Sequence, residues 1–387
     1  MEESHFTERA TGQLVRIDTP RGRDISFIPE RLPGKWEFDT RLWKLLADAK
    51  EMLGTLNGIG QTLENPRLLL QPLQSREAIA SSNIEGTFVT PEQLLLFELD
   101  PSEPITESEK KADWYEVANY ARALEEGVRL LDTLPLGNRL IRAMHAILMR
   151  GVRGRNKSPG EFRKLQVQIG THGRFVPAPP NAVEDLMADL ERYLNVVDER
   201  HDPLVRSFIV HYQFETIHPF SDGNGRVGRA LLALAIRHWL GHAQPWLYMS
   251  AYYERNKDEY IDRMYRVSTR GEWSEWIEFC LRGSIAQAKD AIRRCHEFHR
   301  LKREFHDRVK RATPRSHKII DGLFVRPVIQ VGSIIEKYHV TYPTAKTDLD
   351  RLVESGILQV LEGVHPRAYG CPEVIAAAYS DDPTGTG

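Results

Sequence analysis

Between residues 218 and 229 the chain reads His218-Pro219-Phe220-Ser221-Asp222-Gly223-Asn224-Gly225-Arg226-Val227-Gly228-Arg229. Few folds accommodate such a run. His218 can take a proton near neutral pH. Asp222 follows on a short loop and can hold a divalent ion against phosphates. Gly223-Asn224-Gly225 can enter backbone conformations closed to most residues. The spacing predicts a helix over 226–240, so the loop leaves unpaired N–H groups at a helix start, a ready anion site. Arg226 and Arg229, three apart, share one face of its first turns and carry forked charge suited to phosphate. A base, a metal ligand and a polyphosphate cradle therefore sit on one loop.

Two other phosphate motifs fail here. Gly223-x-Gly225-x-x-Gly228 fits the dinucleotide fingerprint only if a strand precedes it and an acidic residue follows about 20 positions on. Leu204, Phe208, His211 and Ile217 have helical spacing instead, and no Asp or Glu follows before Glu254. A P-loop is excluded because no Gly-Lys-Ser/Thr occurs.

A chain of 387 residues exceeds one ordinary core, which predicts two or three domains. With 41% hydrophobic and 27% charged residues it has a globular balance. A net charge of −2 gives no overall pull toward nucleic acid or membrane. Cys280, Cys295 and Cys371 are scattered and odd in number, which suits a reducing, cytoplasmic setting and no disulfide scaffold. No signal peptide and no membrane-spanning run is expected.

In chain order, residues 1–34 are expected to form an arm with little structure of its own. Helices are predicted over 41–62 and 68–87. Gly86 reads as a helix stop behind Glu85, whose charge in a last turn opposes the helix dipole unless a cation partners it. Further helices are predicted over 107–133, 139–149 (with Asn138 as cap and His145 packed or at the surface), 179–197, 204–217, 251–267 and 273–312, the last ending in a solvated charged segment. Leu165, Val167 and Ile169, a turn at Thr171-His172-Gly173, then Phe175 and Val176 alternate as a β-hairpin. From residue 313 on, three short helices and two strands (357–360 and 368–369) have the pattern of a winged helix-turn-helix. The helix in the recognition position carries Lys346 and Arg351 but also Asp348, Asp350 and Glu354, where DNA reading wants a positive face. Residues 381–387 read as a frayed tail.

The central run resembles the Fic-family signature His-x-Phe-x-(Asp/Glu)-Gly-Asn-Gly-Arg-x-x-Arg, and every fixed position matches. The resemblance implies a mostly α fold: a helical core with a β-hairpin flap, followed by the small winged module. It divides the chain into an arm (1–34), an N-terminal helical region (35–105), a catalytic core (106–285), a connecting helix (286–312) and the module (313–380). It implies AMP transfer from ATP, with Mg2+, to a hydroxyl of a target protein. His218 would be the base and Asp222 the metal ligand. Gly223, Asn224, Gly225, Arg226, Val227, Gly228 and Arg229 would bind ATP, with Tyr252, Tyr253 and Asn256 as adenine contacts. Ser81-x-x-x-Glu85-Gly86 is similar to the family's inhibitory helix, in which Glu85 would pair with Arg229 and block the γ-phosphate. Phe175, Val176 and Pro177 would be the flap's apolar contact with the target, docked by strand-like pairing. A homodimer is expected. Two alternatives stand beside transfer: removal of AMP from a modified target, and a regulator that binds DNA through the winged module.

Overall fold

The helix α7 (Pro203–Ile217) is buried on almost every face, from Leu204 to Ile217, so it forms the axis of the molecule rather than an amphipathic wall. Pro203 occupies its first turn, and the Asp202 carboxylate accepts from the Leu204 N–H at 2.9 Å. It stops at His218, whose φ of 52° breaks the ladder. After the loop, α8 (Asn224–Trp239) runs back along α7 and is buried from Asn224 to Ile236.

The computed structural model describes residues 1–19, 22–63, 65–151, 153–170, 174–309 and 313–380. Around the central pair pack α2 (Arg67–Ile84), α4 (Lys110–Leu130), α5 (Asn138–Leu148) and α6 (Pro180–Asn195). Asn138 is the first residue of α5, not its cap. Its N–H donates to Glu191 of α6 at 2.9 Å, so the cap comes from a neighbouring helix. The helix α1 (Trp43–Thr62) lies along α11 (Trp273–Arg308). The latter is continuous through the expected boundary at 285, and its later turns bury Ala288, Ala291, Cys295, Phe298, Leu301 and Phe305. One face of the expected solvated segment is therefore core.

Three other expectations need correction. Residues 1–34 are not an unstructured arm. Gly12–Thr19 (β1) and Gly22–Pro29 (β2) pair antiparallel in unbroken register from Gly12↔Pro29 to Thr19↔Gly22. The helix predicted over 251–267 is two helices, α9 (Ser250–Arg255) and α10 (Lys257–Arg270), broken at Asn256 (φ −118°, ψ 39°). The flap is not a ladder: Ile169 and Phe175 form a single bridge, with N–H···O distances of 2.8 and 3.1 Å. Pairing stops there because the next rung would join Val167 to Pro177, which has no N–H to give, and the Pro177 carbonyl accepts instead from the Ser26 hydroxyl of β2 at 2.6 Å and the Gln166 amide at 2.9 Å. The turn at 171–173 and the tail at 381–387 lie outside the described residues.

The C-terminal part comprises α12 (Pro314–Leu323), β3 (Val328–Gln330), α13 (Val331–Tyr338), α14 (Tyr342–Glu354), β4 (Gln359–Leu361) and β5 (Ala368–Gly370). The sheet is antiparallel in the order β3-β5-β4. A helix that the pattern did not predict, α15 (Pro372–Tyr379), folds back on α11 and α2. Arg294 of α11 donates to the carbonyls of Ala377 and Ser380 at 2.7 and 3.0 Å, fixing this return. The architecture is thus a mostly helical core with two small β-sheets.

Candidate active site

The loop between α7 and α8 is held from within. Asn224 closes it with both ends of its amide: Oδ1 accepts from the Phe220 N–H and Nδ2 donates to the Phe220 carbonyl, each at 2.8 Å. Phe220 is fully buried and stacks on His145 with ring centroids 3.7 Å apart. His145 Nδ1 accepts from the Gly160 N–H at 2.8 Å, which leaves its Nε2–H to donate to the Asp222 carbonyl at 3.1 Å. Burial pushes the His145 imidazole down to about 4, so it stays neutral as this tautomer requires. Asn224 and His145 therefore shape the loop rather than contact a ligand with their side chains. Val227, also expected at the nucleotide, buries its side chain in the core.

Gly223 caps α8 at φ 76°, a conformation that favours glycine. At Gly225 a Cβ would collide with Glu85 Oε1 and crowd Arg229. The helix start is thus bare backbone, and a carboxylate from α2 already sits against it. Arg229 donates to Glu85 Oε1 at 2.7 Å, to Ser81 Oγ at 2.8 Å and to the Ser81 carbonyl at 2.9 Å. The Arg229 side chain is 2% exposed and the Glu85 side chain 38% exposed. The arginine is therefore a fixed part of the wall, whereas the carboxylate opens onto the cavity. Burial alone would raise the Glu85 pKa, but Arg229, with help from Arg226, outweighs it and holds the carboxyl below its usual range. Gly86, with φ 93°, ends this helix as expected. Lys257 donates to the Ile84 carbonyl at 2.6 Å, tying the end of α2 to α10.

His218 is half-buried. Its Nδ1 lies 3.2 Å from the Glu215 carbonyl; as the N–H donor there, it leaves the Nε2 lone pair as the basic position. Burial pushes the ring down to about 4, with the Glu215 carbonyl opposing. The side chain is neutral at pH 7, the state a base requires. Asp222 accepts from the Gly223 N–H at 2.6 Å and stays partly exposed, 3.8 Å from Arg226. One accessible carboxylate beside an anion cradle fits magnesium, which takes one or two protein carboxylates and completes its shell with phosphate and water.

Glu85, Gly225 and Arg229 share a cavity of about 260 Å³ with His218, and Asp222, Gly223 and Arg226 are not part of its lining. Glu85, His218, Gly225 and Arg229 supply its polar wall, and Ile169, Phe175, Ile261, Met264 and Tyr265 its apolar one. Tyr252, Tyr253 and Asn256 do not line it. Tyr253 is buried against Tyr260 and Phe279, Tyr252 packs on Phe279, and the Asn256 amide donates to the Tyr252 carbonyl. The break at Asn256 turns α10, not α9, toward the cavity. Val176 and Pro177 are also buried, so the expected target contact is not on the surface. Phe175 lines the cavity instead.

The sequence pattern did not mark two further positions at the site. Arg163, 2% exposed, donates to the carbonyls of His218 (2.8 Å), Leu165 (3.2 Å), Ile217 and Ala178, joining the base's backbone to both arms of the flap. Its only signal was one Arg among several in a Gly/Arg-rich stretch. Glu215 lines the cavity too, over Gly228, where a Cβ would strike its Oε1. Among the described residues that oxygen has no hydrogen-bond partner. Burial pushes Glu215 up to about 8, Arg229 opposes and Glu85 adds to it. The folded chain then holds a proton that the unfolded chain has released, so this group's contribution to stability falls as pH rises from about 4.5 to about 8. Glu215→Gln is expected to flatten that slope in urea titrations across the range. An unchanged slope would show that Glu215 is ionised when folded.

Fold and site define a helical protein built on a base and an anion-binding turn, with a carboxylate seated in the turn. Comparison with known proteins agrees. The Fic/DOC family N-terminal model matches residues 43–129 and the Fic/DOC family model residues 135–236. Over this span, just under half of its length, the chain is similar to the Fic/DOC family. It is 42% identical to the protein adenylyltransferase fic-1 of Caenorhabditis elegans over 78 residues, 19% of this chain and 14% of that one. It is 31% identical to a probable protein adenylyltransferase of Aquifex aeolicus over 181 residues, 46% of this chain and 51% of that one. The chain thus spans well under two thirds of either relative. In fold it is similar to a Fic family protein of Desulfovibrio desulfuricans, with a TM-score of 0.55 at 23% identity, covering 87% of this chain and 97% of the other. A Fic-domain signalling protein of Bacteroides thetaiotaomicron gives 0.52 at 19% identity, covering 64% and 97%.

Proposed function

We propose that the protein transfers AMP from ATP to a hydroxyl of a target protein and is held in check by Glu85. The observation that carries this reading is the Glu85 carboxylate lying against Gly225 and Arg229, an anion in an anion site, in the same cavity as His218. With Glu85 displaced, the α- and β-phosphates lie on the N–H groups of the 223–225 turn and Arg226, and Arg229 takes the γ-phosphate. The adenine enters the apolar slot along α10, against Ile261 and Met264. Asp222 would hold magnesium, which when bound offsets charge on the phosphates.

A Tyr, Thr or Ser hydroxyl attacks the α-phosphorus, and its proton passes to His218 Nε2. The bond from that phosphorus to the α,β-bridging oxygen breaks and pyrophosphate leaves. Most of the acceleration would come from positioning and from preformed charge. Arg163 keeps the His218 carbonyl, and hence the ring, fixed under the flap. The target would pair along residues 166–170, the flap arm that is not buried. The C-terminal sheet and helices resemble a winged helix-turn-helix. Lys346 on its third helix is paired with Asp350, which takes a free cation from the face that would meet DNA and favours protein contact.

The test is intact mass after incubation with ATP and magnesium. Glu85→Gly is expected to gain AMP units by self-modification or to label an added protein extract, and Glu85→Gly/His218→Ala to do neither. Labelling that persists in the double variant would remove His218 from the mechanism, and no labelling by any variant would remove transfer.

A further inference from the structure

An N-terminal strap, residues 5–29, touches both walls of the cavity from outside: the segment before β1 on one side and β2 on the other. On the α10 side, the Thr11 N–H donates to the Ser268 carbonyl at 3.2 Å and its hydroxyl donates to the Val267 carbonyl at 3.1 Å. The same hydroxyl lies 2.9 Å from the Tyr212 hydroxyl of α7. The Thr7 N–H donates to the Thr269 carbonyl at 2.9 Å, and His5 Nδ1 lies 2.7 Å from the Tyr265 hydroxyl. On the flap side, the Phe27 N–H donates to the Val176 carbonyl at 2.9 Å and the Ser26 hydroxyl to the Pro177 carbonyl at 2.6 Å. The fully buried Phe27 ring packs on Phe175 with centroids 5.6 Å apart. Phe175, Tyr265 and Ser268 all line the cavity.

These contacts fall at one end. The first turns of α10 meet the brake: Lys257 binds Ile84, and the Tyr260 ring lies in the field of Arg229. The strap grips the last turns, from Tyr265 to Thr269. Eleven residues separate Lys257 from Ser268, about 16 Å of helix. A ligand whose phosphates lie at Arg229 and Gly225 therefore points its other end toward the strapped part.

We infer that the N-terminal strap is part of the nucleotide site: Thr11, just before β1, and Phe27 of β2 are positioning residues that hold α10 and the flap at the separation the nucleoside end of ATP requires. This rests on the nucleotide reading above. The anion end owes nothing to the strap, since the 223–225 turn is fixed by Asn224 and His145, and Arg229 by Ser81. The strap should therefore govern binding of the nucleoside and not of a bare polyphosphate.

The experiment uses the full chain with Glu85→Gly as parent, so that the anion site is open. Kd is measured calorimetrically with magnesium for ATP and for inorganic tripolyphosphate, in the parent and with Thr11→Val or Phe27→Ala added. Thr11→Val keeps shape and loses only the hydroxyl, so it guards against loss of the fold in Phe27→Ala. Each is expected to weaken ATP about tenfold, since small misplacements of a bound group carry large costs, and to leave tripolyphosphate within about twofold. KM for ATP should rise with little change in kcat. Equal weakening of both ligands, or undiminished ATP binding, would overturn the inference. A parent that binds tripolyphosphate but not ATP would instead overturn the nucleotide reading, and this inference with it.

Discussion

Replacing Glu85 with Gly is expected to raise the rate of AMP transfer about 10- to 10²-fold. Arg229 cannot move: it is enclosed, and Ser81 binds it through both hydroxyl and carbonyl. A γ-phosphate must therefore come to the guanidinium where it stands, and Glu85 Oε1 occupies that place at 2.7 Å. A charge-assisted hydrogen bond of this kind contributes about 1.5–3 kcal/mol. Glu85 is open to water on one side, which screens the pair and favours the lower half of that range. Because each 1.36 kcal/mol is about tenfold in rate, the gain falls between one and two powers of ten. Glu85→Gln, which keeps size but loses charge, should release part of it. The check is the initial rate of label transfer from ATP. Equal rates for wild type and Glu85→Gly, with ATP bound equally by both, would show that the carboxylate does not compete with the γ-phosphate. Ser81→Ala probes the other half of the clamp: it leaves Glu85 in place but frees Arg229, so it should weaken ATP binding without releasing the brake.

What could be read in the sequence divides along a physical line. The 218–229 loop was legible because its parts are contiguous. Glycines at a helix start, a carboxylate and two arginines on one helix face define an anion site with no help from the rest of the chain. Ser81 and Glu85 were legible only through the resemblance: by residue pattern Glu85 is a last-turn charge that wants a cation, and its meeting with Arg229 is a tertiary fact. Reading failed where the deciding contact was remote. Asn256 looks helical by pattern, yet it breaks the helix and hands the cavity to Tyr260, Ile261 and Met264. Arg163 acts on four carbonyls of three separate segments, and nothing local marks it. The hairpin of residues 12–29 does alternate, with Leu14 opposite Phe27 on one face and Val15 and Ile17 opposite Ser26 and Asp24 on the other. Its polar surroundings hid this, and its order depends on Val176, Val267 and Ser268, far along the chain. The flap shows the converse. Its alternation was real, but Pro177 has no N–H for the next rung, and the Ser26 hydroxyl of β2 takes its carbonyl.

His218→Ala is expected to lower transfer by about 10²–10⁴-fold, the usual loss for a positioned general base, while leaving ATP binding within about twofold. The separation follows from where the imidazole sits. It takes no part in the anion site, which Gly223, Gly225, Arg226 and Arg229 make without it. Its shift to about 4 also fixes the sign of the pH dependence. A base works only when neutral, so the free enzyme should lose kcat/KM as pH falls through about 4 and show no loss between pH 8 and pH 6 on this account. Bound nucleotide brings negative charge beside the ring and favours the imidazolium. The acid limb of kcat should therefore lie above that of kcat/KM, and the distance between the two limbs measures how closely the phosphates approach His218. The pH–rate profile of the Glu85→Gly chain provides both limbs, since the brake no longer adds a titrating carboxylate. A kcat limb at or below the kcat/KM limb would place the phosphates away from the imidazole, and the hydroxyl's proton would then need another acceptor. Glu215, held near pH 8 in its protonated form, could not serve below that pH, because a base must first be empty.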